Sequence, residues 1–259
     1  MTKVLVVFEK EWLELRLQRG LLLATLAVPP VITVFALAVF AFASLAPSNV
    51  SMAGLALPPD LVDLSPKELA QAIVGKQFSV IFFLLPVFIP SVIASYSIVG
   101  EKRDRTLEPL LATPIRTAQL LIGKSLAAVV PTIIVTFGCA VLFVVGVVLW
   151  STTPRVANAV ITAGWAAVLA FDMPLLALIG IALIVIVSSR VNDPRTAQQV
   201  SAVLVVPVML LLFGQLSGVL VLNVPFALAG AAVLGFFAFV ALRLATDLFG
   251  REAILTRWR

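Results

Sequence analysis

Leu120–Trp150 reads LLIGKSLAAVVPTIIVTFGCAVLFVVGVVLW, with Lys124 as its one charged residue. A helix that crosses the ~30 Å hydrocarbon core of a bilayer needs about 20 apolar residues, and this run exceeds that length. Outward from it, five more stretches qualify: Leu21–Ala46, Phe78–Gly100, Ala159–Ser189, Val200–Leu222 and Pro225–Ala245. All are long and rich in Leu and Ala, without the period-two alternation of a membrane strand. The pattern predicts an all-α integral membrane protein, a single domain over residues 1–259 with six transmembrane helices.

Composition points the same way. The chain has 259 residues, 61% hydrophobic and 12% charged. Soluble domains carry about 25% charged residues, so this chain has too few to coat a water-facing surface. Six spans with short connections leave no room for a soluble catalytic domain. There is no histidine, which removes the commonest general base and metal ligand. The single cysteine, Cys139, lies in an apolar run and excludes an intrachain disulfide or a cysteine metal site. The pI of about 9.9 does not mark a nucleic-acid partner, because the basic residues flank apolar spans and read as topology signals.

Fifteen of the eighteen Lys and Arg residues fall on one side of the six spans. They are Lys3, Lys10, Arg16 and Arg19; Lys102, Arg103, Arg105, Arg116 and Lys124; Arg190 and Arg195; and Arg243, Arg251, Arg257 and Arg259. Lys67, Lys76 and Arg155 fall on the other. The positive-inside rule then predicts both termini in the cytoplasm of a multi-pass plasma-membrane protein.

The first twenty residues mix Glu9, Glu11 and Glu14 with bases and do not read as a signal peptide. Val4, Leu5, Phe8, Trp12 and Leu15 recur at helical spacing, which predicts an interfacial amphipathic helix over residues 1–20. On the opposite side, Ser65-Pro66-Lys67-Glu68 has the form of a capping box with proline at the first helical position. It predicts a short surface helix within the outer connection 47–77. Prolines inside the spans (Pro29, Pro30, Pro86, Pro90, Pro131, Pro174, Pro207) suit helices that kink and move, and equally the general tolerance of proline in lipid.

The connection 101–119 opens with Glu101-Lys102-Arg103-Asp104-Arg105-Thr106-Leu107-Glu108, six of eight residues charged, then Pro109-Leu110-Leu111-Ala112-Thr113-Pro114. Glu101 and Arg105, four apart, support a helical turn. Leu107, Leu110 and Leu111 add an apolar patch, and Thr113-Pro114 reads as the cap and start of the next helix. Charge beside an apolar knob suits a docking element for a soluble partner; a solvated loop that obeys the positive-inside rule has the same composition.

This segment, EKRDRTLEPLLATPI, resembles the signature of ABC-2-type transporter permeases, which read Glu-(Lys/Arg)-x-x-x-Thr-Leu-Glu-x-Leu-Leu-x-(Thr/Ser)-Pro after the second span. Phe8-Glu9-Lys10-Glu11, the stretch Ser188–Asp193 with Ala197-Gln198-Gln199, and Leu248–Leu255 resemble other family segments, so the likeness runs along the whole chain. Arg105 departs from it, since many relatives have glycine there. The resemblance implies the membrane subunit of an ABC transporter, usually an exporter, paired with a second permease subunit as homodimer or heterodimer. Cytoplasmic ABC ATPase subunits would bind ATP and Mg; this chain would bind no cofactor and hydrolyse nothing. It further implies that a coupling helix in the 101–119 loop seats in the ATPase, through Glu101, Arg103, Thr106, Leu107, Glu108 and Leu111. Arg190, Asn192 and Asp193 would make a second, lesser contact.

Two further features need weighing. Gly123-Lys124-Ser125 has the ending of a phosphate-binding loop, but Ala118 stands where that loop needs glycine, no strand precedes it, and an apolar span follows. Lys124 reads instead as a base at the end of the third span that snorkels to the interface. Asp172 is the one acidic residue deep within a span, where a charge costs about 3 kcal/mol on insertion scales. It fits a polar point on a translocation path or proton route. It also fits a protonated carboxyl beside backbone freed by Pro174, or a contact between helices. A self-sufficient secondary transporter or channel is the competing functional class. Such proteins place several ionisable groups at mid-membrane, and here there is one aspartate. An intramembrane protease fits less well, without histidine or a second aspartate.

Overall fold

A computed structural model of the chain describes residues 3–45, 61, 63–101, 115–188, 191, 193–216 and 222–248. Those residues form helices and connections, with no strand among them. In lipid a spanning segment must satisfy its own backbone, which the helix does internally.

Helix α1, Lys3–Leu17, is separated from α2, Arg19–Ala43, by one non-helical residue, Gln18 (φ −82°, ψ 59°). Helix α3 spans Pro66–Gly100, α4 Thr117–Trp150 and α5 Pro154–Val160. Helix α6 begins at Ala163 and ends at Ser188, α7 begins at Pro194 and ends at Leu216, and α8 covers Val224–Leu248. Six helices in this order are long and apolar enough to cross a membrane: α2, α3, α4, α5 with α6, α7 and α8.

Helix α3 is the most buried of the six and α8 the least. Helix α4 packs on α1, α2 and α3, while α6 packs on α3 and α8. Large apolar side chains left exposed, such as Phe35 and Phe42 on α2, Ile134 and Val141 on α4, and Phe236 and Phe237 on α8, form the outward faces. On a protein solvated by lipid these faces carry no penalty.

Two boundaries differ from the sequence expectation. The outer helix over 66–77 is not a separate surface element; it runs without a break into the second span as one helix, Pro66–Gly100. Glu68 and Gln71 find partners on neighbouring segments, while Lys67 stays exposed. Gln71 is fully buried: its Nε2 donates to the carbonyls of Trp150 (2.8 Å) and Phe40 (3.3 Å), near the C-terminal ends of α4 and α2. Its Oε1 accepts from the backbone N–H and hydroxyl of Thr152, both at 3.0 Å. One amide side chain thus satisfies groups from two helix ends that would otherwise lack partners. The cap itself forms as expected, with the Ser65 N–H donating to Glu68 Oε2 at 2.9 Å.

The fourth span starts earlier than 159, at Pro154, and is interrupted near that end. The chain leaves the helix at Ile161 (φ −96°, ψ 82°) and restarts at Ala163, where the Thr162 hydroxyl oxygen accepts from the Trp165 N–H at 3.1 Å. Trp165 then packs with Phe82 and Phe143 and donates its indole N–H to the Ser79 carbonyl at 3.1 Å, which locks α6 to α3 and α4.

The prolines leave local marks. In α3 a 3₁₀ turn, Phe82–Leu84, precedes Pro86, whose ring displaces the carbonyl four residues back, that of Phe82. Two π-helical turns also occur, Ser95–Gly100 at the end of α3 and Val168–Asp172 within α6. Such turns are rare and frequently sit at functional positions.

Candidate functional site

The end of the bundle where α3 finishes and α4 begins holds a buried ionic network. Three chain segments meet there. Helix α1 contributes Lys10, Glu11 and Glu14, the π turn of α3 contributes Ser97 with Glu101 just beyond it, and α4 contributes Lys124. Val7, Glu11 and Leu15 recur every four residues along α1, so they share one face, and all three are buried. That face lies on α4 at Gly123, where an added Cβ would come within 2.6 Å of Val7 Cγ1 and 3.1 Å of the Val4 carbonyl oxygen. The missing side chain lets the two backbones approach closely enough for the charges one residue on to pair.

Lys124 is not a snorkelling base. Its side chain is 1% exposed, and its Nζ lies 2.6 Å from Glu11 Oε1 and 2.8 Å from Glu101 Oε2. It also donates to the Ser97 carbonyl (3.3 Å) and hydroxyl (3.1 Å) oxygens. The Ser97 hydroxyl donates to the other Glu11 oxygen at 2.5 Å. A lysine near the interface snorkels when water is its best partner; two buried carboxylates are better partners here. Lys10 completes the group, paired with Glu11 (3.1 Å), Glu14 (2.9 Å) and Glu101.

Carboxylate oxygens of Glu11, Glu14 and Glu101 lie within 4.8 Å of one another, close enough to share a metal ion. The Lys10 ammonium bonds all three and takes the place of such a cation. Burial pushes the Glu11 carboxyl up, but the ammonium groups of Lys124 and Lys10 and the Lys124 and Ser97 hydrogen bonds outweigh it and hold the carboxyl below its ordinary range. Burial works against the Lys10 charge, and the carboxylates of Glu11, Glu101 and Glu14 override it and hold the ammonium above its ordinary range.

Glu101, expected at the ATPase surface, faces inward into this network. Asp193 caps α7, with its Oδ2 accepting from the Thr196 N–H and hydroxyl, both at 3.0 Å. Arg103, Thr106, Leu107, Glu108 and Leu111, with Arg190 and Asn192, lie outside the described residues. The sequence reading missed Glu11 and Lys124 as partners. Glu11 breaks the apolar face that hydropathy assigns to α1, and the available signal was its four-residue spacing from Val7 and Leu15.

Asp172 lies in the π turn of α6, is 5% exposed, and has its Oδ1 buried with no hydrogen-bond partner among the described residues. It lines a cleft of about 720 Å³ bounded by α3, α6, α7 and α8.

The site belongs to a bundle of six apolar helices whose second and third spans are tied at one end by a buried ionic network. The family model for ABC-2 family transporter proteins matches residues 5–235, from α1 into the sixth span, and the chain belongs to that family. It is accordingly a permease component of an ABC transporter, a multi-pass membrane protein. No curated protein matches it.

Proposed function

We propose that the chain is the membrane subunit of an ABC exporter whose energy comes from a separate ATPase docked on the segment 102–114. Two such subunits, identical or not, pair in the plasma membrane with both termini in the cytoplasm, and the ATPase subunits hold ATP and Mg. Arg103, Thr106, Leu107, Glu108 and Leu111 make the main contact, with leucines buried in the partner and charges orienting them. Arg190, Asn192 and Asp193 make the lesser one.

The observation that supports this reading is the pairing of two residues that flank that segment in sequence. Glu101 precedes it and Lys124 follows it, 2.8 Å apart, and both are tied to α1. A push on the segment therefore reaches α1, α3 and α4 as one body. Glu101 acts as a positioning residue for the ATPase contact. Lys124 is taken up by carboxylates, which agrees with nucleotide binding in a partner chain.

Leu107→Asp tests the reading in the reconstituted complex. ATP-driven transport is lost while membrane insertion is unchanged; normal transport by this variant, or cargo movement by the chain with no ATPase present, overturns it.

A further inference from the structure

We propose that the cleft between α6, α7 and α8 binds a hydrophobic cation, with the Asp172 carboxylate as its counter-charge; this names a cargo class and rests on the transport reading above.

The cleft of about 720 Å³ lies within the range of small-molecule sites, roughly 300–1,000 Å³. Apart from Asp172, every side chain that lines it is apolar, and Phe83, Phe226 and Phe237 add aromatic rings. Apolar walls with one buried charge describe a ligand with an apolar body and a single opposite charge. A cation also gains from aromatic faces.

Asp172 is free to take that role. Its Oδ1 is buried and has no hydrogen-bond partner among the described residues. On α8, Gly230 faces it, and an added Cβ there would sit 3.3 Å from that oxygen. The glycine leaves the carboxylate approachable from α8. Among the described residues there is no counter-ion for it, since Lys124 is held by Glu11 and Glu101 and no described Lys or Arg lines the cleft. A lipid tail alone would leave the carboxylate without a partner. A second copy of this chain has no base at mid-span to offer.

Equilibrium dialysis of tetraphenylphosphonium and tetraphenylborate, ions of one shape and opposite sign, tests the site on the purified full chain in neutral detergent, with a detergent blank. The wild type prefers the cation by at least about ten-fold, the order expected when a buried charge gains its counter-ion. Asp172→Asn brings the two ions to parity and Asp172→Glu keeps the preference. Gly230→Val crowds the carboxylate without altering it and also lowers cation binding, which keeps the test decisive if the asparagine variant fails to fold. Equal binding of both ions by the wild type, as a lipid-filled groove would give, overturns the site. So does an undiminished preference in folded Asp172→Asn or Gly230→Val. Phosphonium that binds but is not moved by the ATPase-driven complex overturns the cargo assignment alone. A complex that moves no cargo with ATP removes the permease reading instead.

Discussion

Lys124 Nζ and Glu11 Oε1 lie 2.6 Å apart, both almost fully buried, across 113 residues of sequence. The pair joins α1 to α4 about two turns past the start of α4 at Thr117. Loss of Lys124 leaves the buried carboxylates of Glu11 and Glu101 to share Lys10, an excess of buried negative charge that costs up to about 3–5 kcal/mol. Lys124→Met therefore lowers the melting temperature of the purified chain sharply. Glu11→Gln added to it removes the stranded charge, and the double variant melts above Lys124→Met alone. A double variant at or below the single one would show that the two residues do not act as a pair.

The same network sets a pH window. The Glu11 carboxyl is held below its ordinary value in the folded chain, so its stabilisation is complete above the unfolded value of about 4.3 and fades as pH falls through the folded one. The Lys10 ammonium is held above its ordinary value, so its share is complete below about 10.4 and fades as pH rises through the folded value. Docking of α1 is thus constant from about pH 5 to 10. Hydrogen exchange at α1 amides, corrected for intrinsic rate, rises in acid, and Glu11→Gln removes that acid step.

Close approach at Gly123 gives a steric test. A side chain there meets Val7 at 2.6 Å, so Gly123→Val displaces α1 and costs about 1–3 kcal/mol. Gly138 lies on the same helix with nothing within 4 Å of an added Cβ, and Gly138→Ala is neutral or slightly stabilising, by up to about 1 kcal/mol. Thermal unfolding of the two variants side by side separates packing from helix propensity.

At the opposite end, Gln71→Leu keeps the volume and removes four hydrogen bonds, to Phe40, Trp150 and Thr152. Buried groups left unpaired cost about 1–3 kcal/mol each. The variant melts well below wild type, while Ser65→Ala, at the exposed cap of the same helix, costs about 1 kcal/mol.

The spans were legible because lipid rewards one property, and long apolar runs report it directly. Their edges were less so. Polar residues Lys67, Glu68, Gln71 and Lys76 make 66–77 look like a surface segment, yet the helix passes through them because Gln71 satisfies two neighbouring helix ends. Glu11 was hidden for the same reason. A pattern that counts glutamate as solvent-facing cannot register a lysine 113 residues away. Asp172 was found because charge at mid-span is conspicuous in any sequence; the apolar cleft it lines was visible only in three dimensions.

Gln71 fastens α3 to the far ends of α2 and α4, so under the coupling proposed above that end of the bundle would serve as a fulcrum. Helix α3 extends 29 residues beyond it to Gly100, about 44 Å at 1.5 Å per residue. A tilt of about 5° around such a pivot is negligible beside Gln71 and amounts to about 4 Å at Glu101. Work applied by a partner at the charged end would thereby become a long, shallow lever stroke, with the walls along its length separating in proportion to their distance from the pin.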